Sequence, residues 1–285
     1  MPRAGRVLRR LPYPAAGLTV IDATVNNVSM TTVADPLPPR PIEWGLAFRA
    51  AVGLARDTAR TDHVFTIVQA LRGNAFESDY QEFRATPHGQ KVLRERPDLR
   101  AILADRERLR AMPEGSLAQA YLVFMKDGEL TADGLVEAQN AGVDPHAYLD
   151  LDEKRRCFGD RVRDMHDLWH VLTEYGSDDT GEIANLWFSI GQFTSYGLAL
   201  IALLGTLDGI AGLRFGWPRY CVRAYLRGRR AERIASAPLE EWLHLPIDEV
   251  RRRLRILPTE RVHPEGIRFG YRKDRRMGAI RTHAA

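Results

Sequence analysis

Two histidines four residues apart, His166 and His170, are the residues of this 285-residue chain that point most directly to chemistry. On a helix this spacing places both imidazoles on one face, within reach of a single cation. Asp167 lies beside His166 and three residues before His170, so its carboxylate reaches the edge of that face. Imidazoles and carboxylates together suit zinc, manganese or iron. The pattern therefore predicts a divalent metal site.

A second carboxylate, Glu182, follows His170 after eleven intervening residues. The sequence Gly-Ser-Asp-Asp-Thr-Gly at 176–181 is typical of a turn. Such a turn lets a helix that begins near Glu182 fold back and present its carboxylate to the histidines. Further acidic residues are candidates to orient the histidine rings, namely Asp164, Glu174, Asp178 and Asp179.

Other interpretations of this motif stay open at the level of the residues. The alternative interpretation is that one or both histidines are core residues hydrogen-bonded to Asp167. A His-Glu-x-x-His metalloprotease is disfavoured, because Asp167 stands where that motif has its general base. An HD-type phosphohydrolase also needs a separate upstream His and downstream Asp, and nothing in the sequence supports His63 and Asp208 in those places.

The elements that must position these residues are predicted to be helices. Residues 150–175 are predicted to form one long helix that turns Val162, Met165, Trp169 and Leu172 toward the core. Ser116 is the predicted N-cap of an upstream helix. Few segments show the alternation of apolar and polar residues that is typical of β-strands. We predict an all-α fold, a single multi-helix domain over residues 41–257, with the metal site between two helices and an apolar lipid pocket.

A long segment without charged side chains, residues 183–207, follows the turn. Its 25 positions are enough to span a bilayer. Polar residues such as Asn185 and Gln192 nevertheless occupy its first half, so a buried core helix is favoured. A helix that lines a lipid pocket is a further possibility, with the candidate lining residues Trp187, Phe188, Leu198 and Leu200.

The net charge of +4 is unevenly distributed. Residues 22–213 sum to −10, whereas residues 1–21, 214–233 and 258–285 sum to +4, +6 and +4. An acidic body of this kind is not a uniformly basic nucleic-acid binder, so we expect no nucleic-acid partner. A basic helical face suited to an anionic membrane, or simply to solvent, is predicted for Arg219, Arg223, Arg227 and Arg230.

The two ends of the chain are predicted to lie outside the domain. Residues 1–40 end in a proline cluster and are predicted to be a disordered leader. Four arginines precede the first acidic residue, Asp22, which resembles a mitochondrial presequence. Prolines interrupt any amphipathic helix there, however, which favours a disordered bacterial leader. Residues 258–285 are predicted to be a basic tail. The two cysteines, Cys157 and Cys221, exclude a disulfide scaffold and suit a reducing compartment.

The motif and its surroundings resemble the fourth coenzyme Q biosynthesis protein ("Coq four") family. That family is marked by His-Asp-x-x-His, eleven residues, then Glu, which stand here as His166, Asp167, His170 and Glu182. The resemblance covers residues 41–257 and includes similar stretches at 113–125, 225–231 and 241–251. The sequence departs from the family at Glu174, where Gly is frequent.

The resemblance implies an all-α protein of ubiquinone biosynthesis that binds zinc, or another first-row divalent metal, through the four motif residues. The family is credited with removing the C1 carboxylate from a polyprenyl-hydroxybenzoate, in some accounts with hydroxylation at that carbon. This makes a metal-dependent lyase the leading hypothesis. A non-catalytic lipid-binding scaffold that organises the biosynthetic enzymes is the alternative, and a metal-dependent hydrolase of unrelated substrates is a third.

The resemblance also implies partners and a location. The expected partners are a prenylated benzoate or quinone lipid, other ubiquinone biosynthesis enzymes, an anionic membrane surface and, in a homodimer, a second copy of the chain. The expected location is peripheral, on the cytoplasmic face of a bacterial plasma membrane. In a eukaryote it would be the matrix side of the mitochondrial inner membrane.

Overall fold

Helices without any strand build the part of the chain that the computed structural model describes, which comprises residues 36–57, 60–128, 134–142, 151–212, 215–264 and 266. This confirms the predicted all-α class. In chain order the helices are α1 Trp44–Arg56, α2 Thr61–Ala70, α3 Ala75–Arg84, α4 Pro87–Glu95, α5 Leu99–Ala104, α6 Arg106–Arg110, α7 Leu117–Asp127, α8 Gly134–Gly142, α9 Glu153–Asp164, α10 His166–Thr173, α11 Asp179–Gln192, α12 Tyr196–Ala211, α13 Trp217–Arg230, α14 Leu239–Trp242, α15 Ile247–Arg253 and α16 Thr259–Val262. A short 3₁₀ turn, Ile234–Ser236, follows α13.

The largest core surrounds α10 and brings together side chains from α5, α7, α11, α13 and the C-terminal helices. Met165, Trp169 and Leu172 are buried there, as their helical spacing predicts. Val162, predicted with them, is only partly buried and packs against a separate cluster. Ser116 accepts the Gln119 N–H at 3.3 Å and begins α7, as predicted. A second core joins α1, α2 and α12.

Two glycines allow α11 and α13 to touch backbone to backbone. A Cβ on Gly228 would lie 2.1 Å from the Phe188 carbonyl oxygen, and one on Gly191 would lie 2.6 Å from the Arg229 nitrogen. No side chain other than hydrogen fits at either place. This contact fixes α11, which carries Glu182, against the body of the protein.

Two segments predicted as single helices are broken. The predicted helix 150–175 is divided into α9 and α10, because Met165 (φ −80°, ψ −9°) ends the first helix and belongs to neither. The uncharged segment 183–207 forms α11 and α12, because Phe193 is extended (φ −123°, ψ 157°) and Ser195 caps the next helix. Among the described residues, no helix is both long and apolar enough to cross a membrane.

The folded body extends beyond both predicted boundaries. The Arg40 N–H, in the predicted leader, donates to the Gly73 carbonyl at 3.2 Å. In the predicted tail, residues 259–262 are helical and His263 is buried. The remainder of both terminal segments, residues 1–35 and 267–285, lies outside the described residues, so their predicted disorder stays a prediction.

Candidate metal centre

The three candidate ligands His166, His170 and Glu182 converge between α10 and α11. Each offers one ligand atom, and these atoms all lie within 4.8 Å of one another. The two imidazole centroids are 4.7 Å apart at an interplanar angle of 62°. Glu182 lies in the first turn of α11. The predicted fold-back of Glu182 toward the two histidines is therefore confirmed.

His170 is the fully buried member of this group, with a side chain that is 0% exposed. Its Nδ1 lies 2.9 Å from the Tyr175 carbonyl oxygen. Because a carbonyl only accepts hydrogen bonds, Nδ1 carries the proton and Nε2 carries a lone pair. Nε2 has no hydrogen-bond partner among the described residues and lies 3.4 Å from Glu182 Oε1. A buried acceptor left without a partner is costly unless something else binds it.

His166 presents its Nε2 to the same carboxylate from the more exposed side. Its Nδ1 lies 3.2 Å from Asp167 Oδ1, and its Nε2 lies 3.7 Å from Glu182 Oε2. An ionised Asp167 only accepts, so the proton again lies on Nδ1. Tetrahedral ligands about 2.0–2.1 Å from zinc lie roughly 3.3 Å from one another, close to these separations. The donor set therefore fits a divalent metal.

The charges of the group are those that a metal site requires. Burial alone would raise the pKa of Glu182, but when His170 and His166 are in their protonated form their charges outweigh burial and lower that pKa. Burial alone would lower the pKa of His166, but Asp167 and Glu182 raise it. Glu182 is thus held as a carboxylate, while protons compete for His166, so acid should weaken metal binding.

The loop between α10 and α11 places Glu182 through close backbone contacts. Asp178 Oδ1 accepts the N–H groups of Thr180 and Gly181 at 2.9 and 3.2 Å, which starts α11 at Asp179. A Cβ on Gly181 would lie 2.0 Å from the Gly176 carbonyl oxygen. The helix therefore begins three residues earlier than Glu182 and rests directly on the turn.

Asp167 is not one of the three converging residues, because its carboxylate faces His166 Nδ1. Its predicted role as a fourth ligand stays a prediction. The other nearby acids have partners elsewhere: Asp164 accepts from Arg163, and Glu174 accepts from Thr259 and pairs with Arg251.

Two groups in contact with His170 were not predicted. The Phe124 ring stacks on it, with centroids 5.3 Å apart, and the Tyr175 carbonyl accepts from it. Every residue has a backbone carbonyl, so residue types alone do not indicate which carbonyl accepts from His170. Phe124 lies in the stretch 113–125 that carries part of the family resemblance, and this resemblance is the signal in the sequence that points to it.

The predicted lipid-pocket residues are divided between the two cores. Phe188 is buried beside Trp169 in the main core, and Leu200 packs against the second core. Trp187 is partly buried and donates its Nε1–H to Thr206 at 2.9 Å. Leu198 is also partly buried. Their role in holding a lipid stays a prediction.

The predicted basic face of α13 is wrong at one position. Arg219 is exposed and Arg223 half-buried, but the Arg227 side chain is 0% exposed. Each four-residue step overshoots one helical turn by about 40°. Two steps from Arg219 rotate Arg227 toward the side that packs on α11, where Ala224 and Gly228 are buried.

Comparisons with known proteins show which family the chain belongs to. Residues 40–260 match the family model of the coenzyme Q (ubiquinone) biosynthesis protein Coq4. The mitochondrial ubiquinone biosynthesis protein COQ4 homologue of Rattus norvegicus is 26% identical over 271 residues, covering 93% of this chain and 96% of the relative. The Danio rerio homologue is 27% identical over 212 residues, covering 74% and 75%.

The fold is also similar to a crystal structure of a proposed ubiquinone biosynthesis protein from Nostoc punctiforme. The TM-score is 0.56 at 18% identity, covering 76% of this chain and 99% of that one. A likeness at this level of identity concerns the fold alone. The family match spans most of the chain and contains all three converging residues. The chain belongs to the Coq4 family of coenzyme Q (ubiquinone) biosynthesis proteins.

Proposed function

We propose that this protein removes the C1 carboxylate of a polyprenyl-hydroxybenzoate, using a divalent metal held by His166, His170 and Glu182. The observation that carries this proposal is the buried Nε2 of His170, which faces a carboxylate and has no hydrogen-bond partner among the described residues. Three protein ligands leave one position open, which is the pattern of catalytic rather than structural zinc sites.

A bound divalent metal would supply Lewis-acid chemistry, binding the substrate's carboxylate or phenolic oxygen and stabilising charge on the ring. The protein's part is to hold the ligands ready. The Tyr175 carbonyl and Asp167 keep the imidazole protons on Nδ1, which leaves both Nε2 lone pairs free. Glu182, at 40% exposure, and His166, at 34%, leave one side of the group open to a substrate.

The reaction without an oxidant breaks the bond between C1 and the carboxyl carbon. Carbon dioxide leaves, and a proton takes its place on the ring. The oxidative version also places a hydroxyl group on C1 with one atom of molecular oxygen, and reduction of the other atom to water takes two electrons from an external reductant. Because zinc has no redox chemistry, that version needs another metal or a partner enzyme.

An exposed apolar surface supports work at a membrane. On α12 the large apolar side chains Leu203, Leu204, Leu207 and Ile210 are exposed and share one helical face. Phe215, after that helix, is 89% exposed, and Arg219 lies just beyond it. Apolar patches beside basic residues suit anionic lipid surfaces. A prenylated substrate would reach the protein there.

Vesicle flotation tests this location. Leu207→Glu should reduce binding to vesicles that contain anionic lipid. Val123→Glu is the matched control, because Val123 is equally exposed but lies on α7. Equal binding by both variants would contradict the proposed surface.

The activity is tested with purified protein, zinc or another divalent metal, and a prenylated hydroxybenzoate. Mass spectrometry should show loss of the carboxyl carbon with the wild type and not with Glu182→Gln. An intact carboxylate, under conditions in which a relative processes the same substrate, would refute the proposal.

The non-catalytic scaffold remains the second candidate, and the exposed apolar surface also favours it. Replacement of His166 and Glu182 by Ala separates the two functions. A scaffold would still assemble the other ubiquinone biosynthesis enzymes after losing the metal site. A pathway block with an assembled complex would support the enzyme.

A further inference from the structure

The loop that holds His170 is itself held from behind by distant parts of the chain. The Tyr175 carbonyl, which accepts from His170, belongs to the short connection between α10 and α11. Residues 257–263, here called the C-terminal strap, cross this connection. Helix α13 supplies a buried arginine and the strap supplies a buried histidine, and both contact this connection.

Arg227 ties the end of α10 to the strap. Its Nη1 donates to the Thr173 carbonyl at 2.6 Å, and its Nε donates to the Leu257 carbonyl at 2.8 Å. The guanidinium carbon also lies 5.2 Å from the centre of the Tyr175 ring. A planar guanidinium reaches two carbonyls and an aromatic face in fixed directions, which an ammonium group cannot do.

His263 holds the same tyrosine from the strap. Its Nε2 lies 3.0 Å from the Tyr175 hydroxyl, and its ring stacks on Tyr220 with centroids 3.8 Å apart. Thr259 packs against the same segment, with its hydroxyl oxygen 3.1 Å from the Thr173 carbonyl oxygen. The tyrosine that orients His170 is thus fixed at its ring, at its hydroxyl and through its neighbouring backbone.

We propose that Arg227 and His263 are positioning residues for the metal centre and act through Tyr175 on His170. This inference rests on the metal centre of the proposed function. Neither residue touches the three candidate ligands. They hold the Tyr175 carbonyl where it keeps the His170 proton on Nδ1 and aims Nε2 at Glu182. Groups that orient a metal-binding histidine in this way contribute measurably to metal affinity.

Arg227→Lys tests the proposal, with Arg161→Lys as its matched control. Arg161 is also buried and donates to two backbone carbonyls, those of Ala235 and Ala237, at 3.0 and 2.7 Å. Both variants lose buried hydrogen bonds, but only Arg227 supports the loop behind His170. Zinc affinity, the visible spectrum of the Co²⁺-loaded protein and the melting temperature of the metal-free protein are measured for each.

Arg227→Lys should weaken zinc binding by about 10- to 100-fold and alter the Co²⁺ spectrum. Arg161→Lys should lower the melting temperature and leave both metal readouts at the wild-type values. If Arg227→Lys fails to fold, the His263 variants decide. His263→Gln can still meet the Tyr175 hydroxyl and should retain affinity, whereas His263→Leu should lose it.

Two results would overturn the proposal, and they differ in what else they affect. If the wild type binds zinc and Co²⁺, while Arg227→Lys and His263→Leu bind them equally well, the positioning roles are refuted and the metal centre stands. If the wild type binds neither ion, the metal centre of the proposed function fails and the positioning roles fail with it.

Discussion

Glu182→Gln should remove metal binding while it leaves the fold intact. The Glu182 carboxylate directs one oxygen to each imidazole, Oε1 3.4 Å from His170 Nε2 and Oε2 3.7 Å from His166 Nε2. Glutamine keeps the size of the side chain but removes the negative charge and one acceptor. Its amide is still able to donate to the buried Nε2, so the metal-free protein should melt close to the wild type.

The size of the effect follows from ligand linkage. Free zinc at about 100 times the dissociation constant stabilises the folded protein by about 2.7 kcal/mol. In a domain of this size about 1 kcal/mol moves the melting temperature by roughly 2–4 °C, so zinc should raise it by about 5–11 °C. A 100-fold loss of affinity in Glu182→Gln would leave about 0.4 kcal/mol at the same zinc concentration, roughly 1–2 °C.

The assay is thermal unfolding with zinc and with a chelator, supported by metal analysis of the purified protein. Asp179→Asn is the matched control, because Asp179 is an exposed acid in the same first turn of α11. It should keep the full zinc-dependent increase. An equal increase in Glu182→Gln would refute the assignment of Glu182 as a ligand.

Three further changes test the loop and the core by denaturant unfolding. Gly181→Ala should cost about 1–3 kcal/mol, because its Cβ would lie 2.0 Å from a loop carbonyl oxygen; Gly45→Ala on exposed α1 should instead stabilise by about 0.5–1 kcal/mol, and the reverse order would contradict the packing argument. Glu174 has φ 62°, so Glu174→Gly should unfold with a free energy about 1 kcal/mol above that of Glu174→Ala; equal values would exclude backbone strain there. Burial raises the pKa of Asp79 to about 6, against a backbone hydrogen bond from Thr194. The folded protein then binds a proton that the unfolded chain lacks between about pH 4 and 6. Its free energy of unfolding should fall as pH rises through that window, and Asp79→Asn should flatten the slope and gain up to about 3 kcal/mol at pH 7; an unchanged slope would exclude Asp79 as its source.

The sequence was sufficient to predict the three converging ligands because their geometry is local. Helical spacing places His166 and His170 together, and a five-residue connection, residues 174–178, returns the next helix and Glu182 to them. The predicted all-α class rests on the same kind of local periodicity. The all-α class is confirmed and the three residues converge in the structure, because neighbours along a helix remain neighbours in space whatever packs around it. Their role as ligands stays a prediction.

The wrong or missing parts depend on contacts between residues far apart in sequence. Nothing near Arg227 indicates that a strap 30 residues later will cover it and accept its hydrogen bond. Nothing in the sequence indicates the break at Met165 either, because helix propensity alone predicts that the helix continues through this residue. Trp44 and Phe48 recur at helical spacing on α1, yet both are largely exposed, because periodicity defines a helical face without indicating what covers it.

The order of these contacts along the chain has a consequence for biosynthesis. The candidate ligands lie within 17 consecutive residues, so the short loop between them closes at small entropic cost. The arginine and histidine behind Tyr175 arrive later: Arg227 reaches back 54 residues to Thr173, and His263 reaches back 88 residues to Tyr175. During translation the ligand hairpin leaves the ribosome before the groups that support it. A chain truncated before residue 257 would therefore carry every candidate ligand on a hairpin without its support.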